Sequence, residues 1–345
     1  MALAFSPGPK IFFISVFCRP SYLAEGEKVD LSVLTDQFAS LTIDGIALGF
    51  IYVLIALGYT MVYGVLRLIN FANSEVFMLG SFATILVATK IFNKSIESDP
   101  ITGFKLVYTL MAMLLGAMLV SGVISVLIEI VAYRRLRSRT SNRLTSLISA
   151  IGVSIFLAEG VRIMTSSAPM GAPRILEKNT IFTVFGADVR IDTFLVIVFA
   201  IILLITLDTF VNKTRLGKGI RAVSMDYDTS RLMGINLNKV ISTTFLIGGL
   251  GTGAASFFYI TVYEQTRFSI GFELGLAAFT AAVLGGIGNI RGAFAGGIAL
   301  GLIEMYASAI LGTQWRSITA FVILVLVLLF KPNGIFGESL QQARV

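Results

Sequence analysis

The chain has 345 residues, 56% of them hydrophobic and only 14% charged, with a formal net charge of +7. Soluble domains carry about 25% charged residues, so a water-soluble protein of roughly two domains is excluded in favour of one that lives in lipid. A single cysteine, Cys18, excludes an intrachain disulfide, and the absence of histidine excludes His-based acid–base chemistry, histidine metal sites and Ser-His-Asp triads.

Residues 1–30 form an N-terminal extension whose apolar stretch 11–18, eight residues long, fits either a signal h-region or an interfacial extension. The first predicted span is 41–66, with Gly45, Gly49, Gly58 and Gly64. Glycine weakens a soluble helix but lets helices approach closely in a membrane. A polar break from Arg67 to Glu75 separates it from a second span, 76–92. A polar loop, 93–103, precedes a third span, 104–133, which runs into Arg134, Arg135, Arg137, Arg139 and Arg143. The fourth span is 144–164, followed by a Pro- and Gly-containing loop, 165–192, and a fifth span, 193–211. After a charged insert come a sixth span, 240–263, and a short seventh, 274–287. The Gly-rich break Gly285-Gly286-Ile287-Gly288-Asn289 leads to an eighth, 293–311. The ninth, 317–330, stops at Lys331-Pro332-Asn333-Gly334, where proline cannot continue a helix. Spans need ~20 apolar residues to cross ~30 Å of hydrocarbon, and period-two alternation is absent, so the expected class is all-α. It is a polytopic transmembrane helical bundle of about nine spans with broken helices.

The positive charge reads as the asymmetry of membrane loops rather than as a nucleic-acid surface. The five arginines after span three and Lys213, Arg215, Lys218, Arg221, Arg231 and Lys239 should all be cytoplasmic. Alternation then puts the N-terminus outside, Lys331 inside, and the loops 93–103 and 165–192 outside. One weak internal echo supports a duplicated layout: spans one and two flank a break at Asn70 as spans seven and eight flank one at Asn289.

The insert 213–235, polar in a greasy chain, is the candidate handle for a cytoplasmic partner. Read as one helix over 218–233, it sets Ile220, Val223 and Tyr227 on one face. Lys218, Arg221, Ser224, Asp228 and Arg231 lie on the opposite arc, and Gly234 suits a left-handed C-terminal cap. A solvated surface helix at the headgroups fits the same pattern equally well.

Polar residues inside spans are costly and so face a cavity or a partner. Asn70, Asn73, Ser74 and Glu75 occupy the first break, Asn289 the second, and Glu304 lies within span eight. Glu129 and Glu75 also fit side chains that reach for the interface at a span end. No GxxxxGK[ST] motif is present, Gly285-Gly286-Ile287-Gly288 follows no soluble strand, and no carboxylate cage for a cation is evident. No cofactor is therefore expected, and any ATP must be bound by another chain.

Several blocks together resemble the branched-chain amino acid ABC transporter permeases. They are Ala56-Leu-Gly58-Tyr-Thr-Met-Val-Tyr63-Gly64, Ile69-Asn70-Phe-Ala-Asn73-Ser74-Glu75-Val-Phe-Met-Leu-Gly80, and Glu129-Ile-Val-Ala-Tyr133-Arg134. Leu147 to Gly152, Ala222 to Ile235, Ala278 to Gly288 and Gly292 to Gly297 complete the set, which spans about 31–337. The family usually has His-Gly where this chain has Asn73-Ser74, next to the presumed path.

The resemblance implies a permease domain over 31–337, with a coupling segment at 213–235 and a tail at 338–345. It implies no catalytic residue of its own. The expected setting is a bacterial inner membrane, with a second permease subunit, two cytoplasmic ATPase subunits, an external solute-binding protein and surrounding lipid. Half of a path for a small polar solute would be formed, most plainly a branched-chain amino acid. Urea or short amides are the alternative solutes, and an ion-coupled secondary transporter is the rival class. Path candidates are Asn70, Asn73, Ser74, Glu75, Asn289 and Glu304. Coupling candidates are Lys218, Arg221, Asp226, Tyr227, Asp228 and Gly234.

Overall fold

The computed structural model describes residues 37–94, 101, 103–139, 143–184 and 186–337. The expectations for 1–30 and 338–345 lie outside these residues.

In lipid every backbone polar group must be satisfied internally, so long apolar runs become helices. Helix α1 (Phe38–Leu66) ends at Arg67, whose left-handed backbone turns its N–H back onto the Tyr63 carbonyl at 2.7 Å. Helix α2 (Asn73–Leu86) continues through a wider π turn, Val87–Ile91. Helix α3 (Phe104–Ile128) passes through another π turn, Glu129–Arg134, into Arg135–Arg139. Helices α4 (Arg143–Met164) and α5 (Ile191–Lys213) follow, with strands β1 (Met170–Gly171), β2 (Thr180–Val184) and β3 (Ala187–Arg190) between them. Two short helices, α6 (Arg215–Met225) and α7 (Tyr227–Leu232), lead to α8 (Leu237–Tyr263) and strand β4 (Gln265–Thr266). Helices α9 (Ile270–Gly285), α10 (Ile290–Leu311) and α11 (Arg316–Phe330) close the described chain.

Eight of these helices are long and apolar enough to cross a membrane, and the shorter α9 supplies the ninth expected segment. The expected boundary of that segment moves from 274–287 to Ile270–Gly285, because Gly286 and Gly288 take positive φ (107° and 98°) and end the helix.

The core is built around α1, which packs against α10, α8, α9 and α5, while α8 also packs against α3 and α2. Within their most apolar windows, 72% of α1 and 67% of α8 is buried, against 6% of α4 and 11% of α11. The glycines explain the closeness. A Cβ on Gly301 of α10 would lie 2.4 Å from the Gly49 nitrogen and 2.5 Å from the Gly45 oxygen of α1. Small residues spaced by four on both helices thus bring two backbones into contact, which is how membrane helices associate without a hydrophobic drive between them.

The connections gather at two ends. At one, Tyr133 bonds Asn70, Arg134 bonds Ser242 (2.6 Å), Arg137 bonds Asn238 (2.7 Å), and Arg67 bonds α6. The chain after α11 joins the same end, Ile335 and Phe336 donating to the Leu284 and Gly285 carbonyls. Both basic segments therefore share an end. At the other end, β1 pairs antiparallel with β4 (Met170 opposite Thr266), and β2 with β3. There Lys178 pairs with Glu264 at 2.8 Å, and the Thr42 and Tyr306 hydroxyls meet at 2.6 Å.

Candidate functional site

Three of the sequence-predicted path residues come together where α2 begins inside the bundle. Asn73, Ser74 and Glu75 form its first turn and are 1%, 6% and 2% exposed. The Asn73 amide oxygen lies 3.3 Å from the Thr252 hydroxyl of α8, and its nitrogen 3.5 Å from the Ile55 carbonyl of α1. Gly58 makes room for it, since a Cβ there would lie 2.9 Å from that nitrogen. Ser74 Oγ donates to the Phe71 carbonyl at 2.6 Å.

Glu75 Oε1 accepts from Ser154 of α4 at 3.1 Å and lies 3.4 Å from Ser74 Oγ. Its Oε2 has no hydrogen-bond partner among the described residues. Gly271 and Gly275 of α9 close over this turn: a Cβ on Gly271 would lie 2.8 Å from Glu75 Oε2, and one on Gly275 2.3 Å from Ser74 Cβ. Asn70 sits one layer nearer the end, accepting from Tyr133 Oη at 3.0 Å, its amide nitrogen without a partner among the described residues. Five helices, α1, α2, α4, α8 and α9, thus meet around a polar layer with a half-satisfied carboxylate.

The span-end reading of Glu75 and Glu129 does not hold. Both are buried, Glu129 completely. Glu129 accepts from Arg134 (2.7 Å), Arg137 (3.4 Å) and Ser242 (2.8 Å), because the π turn folds the two arginines back over it.

The other two path candidates lie elsewhere. Asn289 caps α10, accepting from the Arg291 and Gly292 amides, and donates to the Phe336 carbonyl. Glu304 accepts from Tyr52 at 2.9 Å and from Arg316 at 2.5 Å, and that arginine also reaches Tyr263, over whose ring it stands at 5.8 Å. This cluster ties α10 to α1, α8 and α11.

The charged insert 213–235 departs from the expected single helix over 218–233. It breaks at Asp226, whose extended backbone (φ −147°, ψ 114°) ends α6 and starts α7. The Asp226 carboxylate accepts from the Thr229 hydroxyl and from the Asp228 and Thr229 amides, and these bonds hold its pKa below the ordinary aspartate value. An aspartate that caps a new helix is a stronger local instruction than continuation of the old one.

The apolar face is as predicted: Ile220 and Val223 are buried with Met61 and Val65, and Tyr227 packs against them. Lys218 and Asp228 are exposed, and Arg221 turns back onto Asn212. Gly234 has φ 81° after α7. A groove between α6 and the start of α8 is lined by Arg215, Lys218, Ala222, Ile235 and Lys239.

Sequence reasoning missed Thr252 and Ser154, single small hydroxyls in apolar spans that carry no pattern of their own. It also left Met225, Leu232 and Met233 out of the coupling candidates, and they stand 80%, 87% and 78% exposed on the charged insert. Large apolar residues inside a polar insert were the available signal.

A bundle of apolar helices long enough to cross a membrane, around a buried polar layer and with charged helices at one end, is a polytopic helical membrane protein. A family model described as the permease component of the branched-chain amino acid transport system matches residues 41–329, and the chain belongs to that family. It is 38% identical over 299 residues to the high-affinity branched-chain amino acid transport system permease protein BraD of Pseudomonas aeruginosa, covering 86% of this chain and 94% of that one. The permease protein LivH of Escherichia coli (strain K12) is 38% identical over 298 residues, with the same coverage. A probable LivH of Methanocaldococcus jannaschii is 25% identical over 305 residues, covering 85% and 90% of the two chains.

Proposed function

We propose that this chain is the membrane permease subunit of an ATP-driven importer and forms half of a path for branched-chain amino acids. The carrying observation is the polar layer at the start of α2, where Asn73, Ser74 and Glu75 lie buried between five helices. Similarity to the BraD and LivH permease proteins over 86% of this chain supports the solute class. A second permease subunit completes the path, two cytoplasmic ATPase subunits drive it, and an external solute-binding protein delivers the solute.

The end carrying both basic segments faces the cytoplasm, on the positive-inside rule. The N-terminus is then outside and residue 337 inside, in a bacterial inner membrane. The ATPase grips the exposed side of 213–235, where Lys218 and Asp228 stand beside Met225, Leu232 and Met233. Asp226, Arg221 and Gly234 shape that surface by capping and turning it, and Tyr227 seats it on the bundle.

The test is uptake into proteoliposomes holding this chain with its partner permease and ATPases, with the binding protein outside. Uptake of leucine, isoleucine or valine that needs internal ATP and survives ionophores is the expected result. Uptake that survives ATP depletion and collapses with the ion gradient overturns it. Uptake of urea without leucine overturns the solute class alone.

A further inference from the structure

We propose that Arg67 is the positioning residue through which the coupling segment sets the conformation of the polar layer; this rests on the import reading above. Arg67 closes α1, and its Nη2 donates to the carbonyls of Ser224 (3.3 Å) and Met225 (3.4 Å). Those carbonyls belong to the last turn of α6, where a helix leaves its acceptors without internal partners and a cation is favoured. From Arg67 only the short link 68–72 separates this grip from Asn73, Ser74 and Glu75, and Asn70 within the link is held by Tyr133. One residue thus ties the end of the handle to the start of the polar layer.

The contact is backed by packing and charge. Ile220 and Val223 of α6 lie in one apolar cluster with Met61, Val62 and Val65 of α1. Asp226, which starts α7, is held ionised chiefly by its bonds from Thr229, and the nearby Arg67 charge acts in the same direction. A displacement of α6 therefore either carries Arg67 with it or breaks both hydrogen bonds.

The backbone separates this role from that of a plain turn. Arg67 has φ 52°, the left-handed region where glycine is at ease and a side chain is strained. If the position served only the turn, Arg67→Gly would relieve strain and leave function intact. If Arg67 transmits the movement of α6, the same variant loses function while keeping the fold.

The experiment uses the complete importer in proteoliposomes, with Arg67→Gly and Arg67→Lys. Expected for Arg67→Gly are an unchanged or raised melting temperature, an intact complex, and basal ATP hydrolysis within twofold of wild type. Leucine imported per ATP hydrolysed falls at least tenfold. Arg67→Lys, which keeps a cation for the α6 carbonyls, recovers import to within threefold of wild type. A second readout is hydrogen exchange over residues 68–75 of the complex on adding ATP: wild type changes protection there and Arg67→Gly does not.

Import per ATP within twofold of wild type in Arg67→Gly overturns the proposal. So does a loss that follows a lost complex, or a lysine variant as poor as the glycine one. A wild-type complex that imports nothing with ATP would instead sink the import reading, and the exchange comparison still decides the role of Arg67.

Discussion

The Glu304–Arg316 pair makes a quantitative prediction, because its two members are not equally buried. The Glu304 side chain is 3% exposed and that of Arg316 30%. Arg316→Leu leaves a carboxylate inside the bundle with only Tyr52 donating to it. Stranding one member of a buried pair costs about 3–5 kcal/mol, and the partial exposure of Arg316 selects the lower end, about 3 kcal/mol.

Glu304→Gln behaves differently. The amide oxygen still accepts from Tyr52, and Arg316 can extend its charged end toward water, so the loss is about 1 kcal/mol. At roughly 2 °C per kcal/mol for a chain of this size, the melting temperatures fall by about 6 °C and about 2 °C. The double variant has no stranded charge and should melt within about 2 °C of wild type rather than at the sum of the two losses. The assay is thermal unfolding of the three variants in one detergent. An Arg316→Leu variant as mild as Glu304→Gln, or additive losses in the double, would refute the reasoning that Glu304 is held as a structural pair.

Three further predictions concern packing, the cap and the polar layer. Gly301→Val should cost at least about 1–3 kcal/mol, since its Cβ would meet the α1 backbone at 2.4 Å, whereas Gly64→Ala, with nothing within 4 Å, should not destabilise; thermal melts compare the two. Asp226→Ala should speed amide exchange at Asp228 and Thr229. The folded pKa of Asp226 lies below its unfolded value, so the cap's contribution is complete above about pH 4 and lost as pH falls through the lower folded value. The difference in protection from wild type should then be constant from about pH 6 to 8 and vanish in strong acid; persistence there would refute the assignment. Glu75→Gln should keep the Ser154 bond and the assembled complex while lowering leucine uptake at least tenfold, and uptake equal to wild type would remove Glu75 from the path.

Much of the architecture was legible because lipid narrows the choices. A run of apolar residues about the length of the hydrocarbon must be a helix, and Pro332 and the glycines at 286 and 288 end helices by backbone geometry alone. The first polar break was legible as a buried feature: Asn73, Ser74 and Glu75 are costly in a membrane unless enclosed, and they meet in one buried layer. Glu304 and Glu129 show the limit. Each looked like an intramembrane charge of the same kind, yet Oε1 of Glu304 accepts from Arg316 and Tyr52, its Oε2 having no hydrogen-bond partner among the described residues, and Glu129 accepts from Arg134, Arg137 and Ser242. Partners as much as 252 residues apart carry no local signal.

The charged insert divides the same way. By itself the sequence determined that 213–235 is polar, amphipathic and basic, because charge and the spacing of Ile220 and Val223 are properties of the residues themselves. Only the tertiary structure decided that the helix breaks at Asp226, that Glu75 keeps one oxygen without a partner, and that Arg67 reaches the carbonyls of Ser224 and Met225. Those features depend on which surfaces the chain brings together, and close packing across distant segments, not local preference, makes that choice.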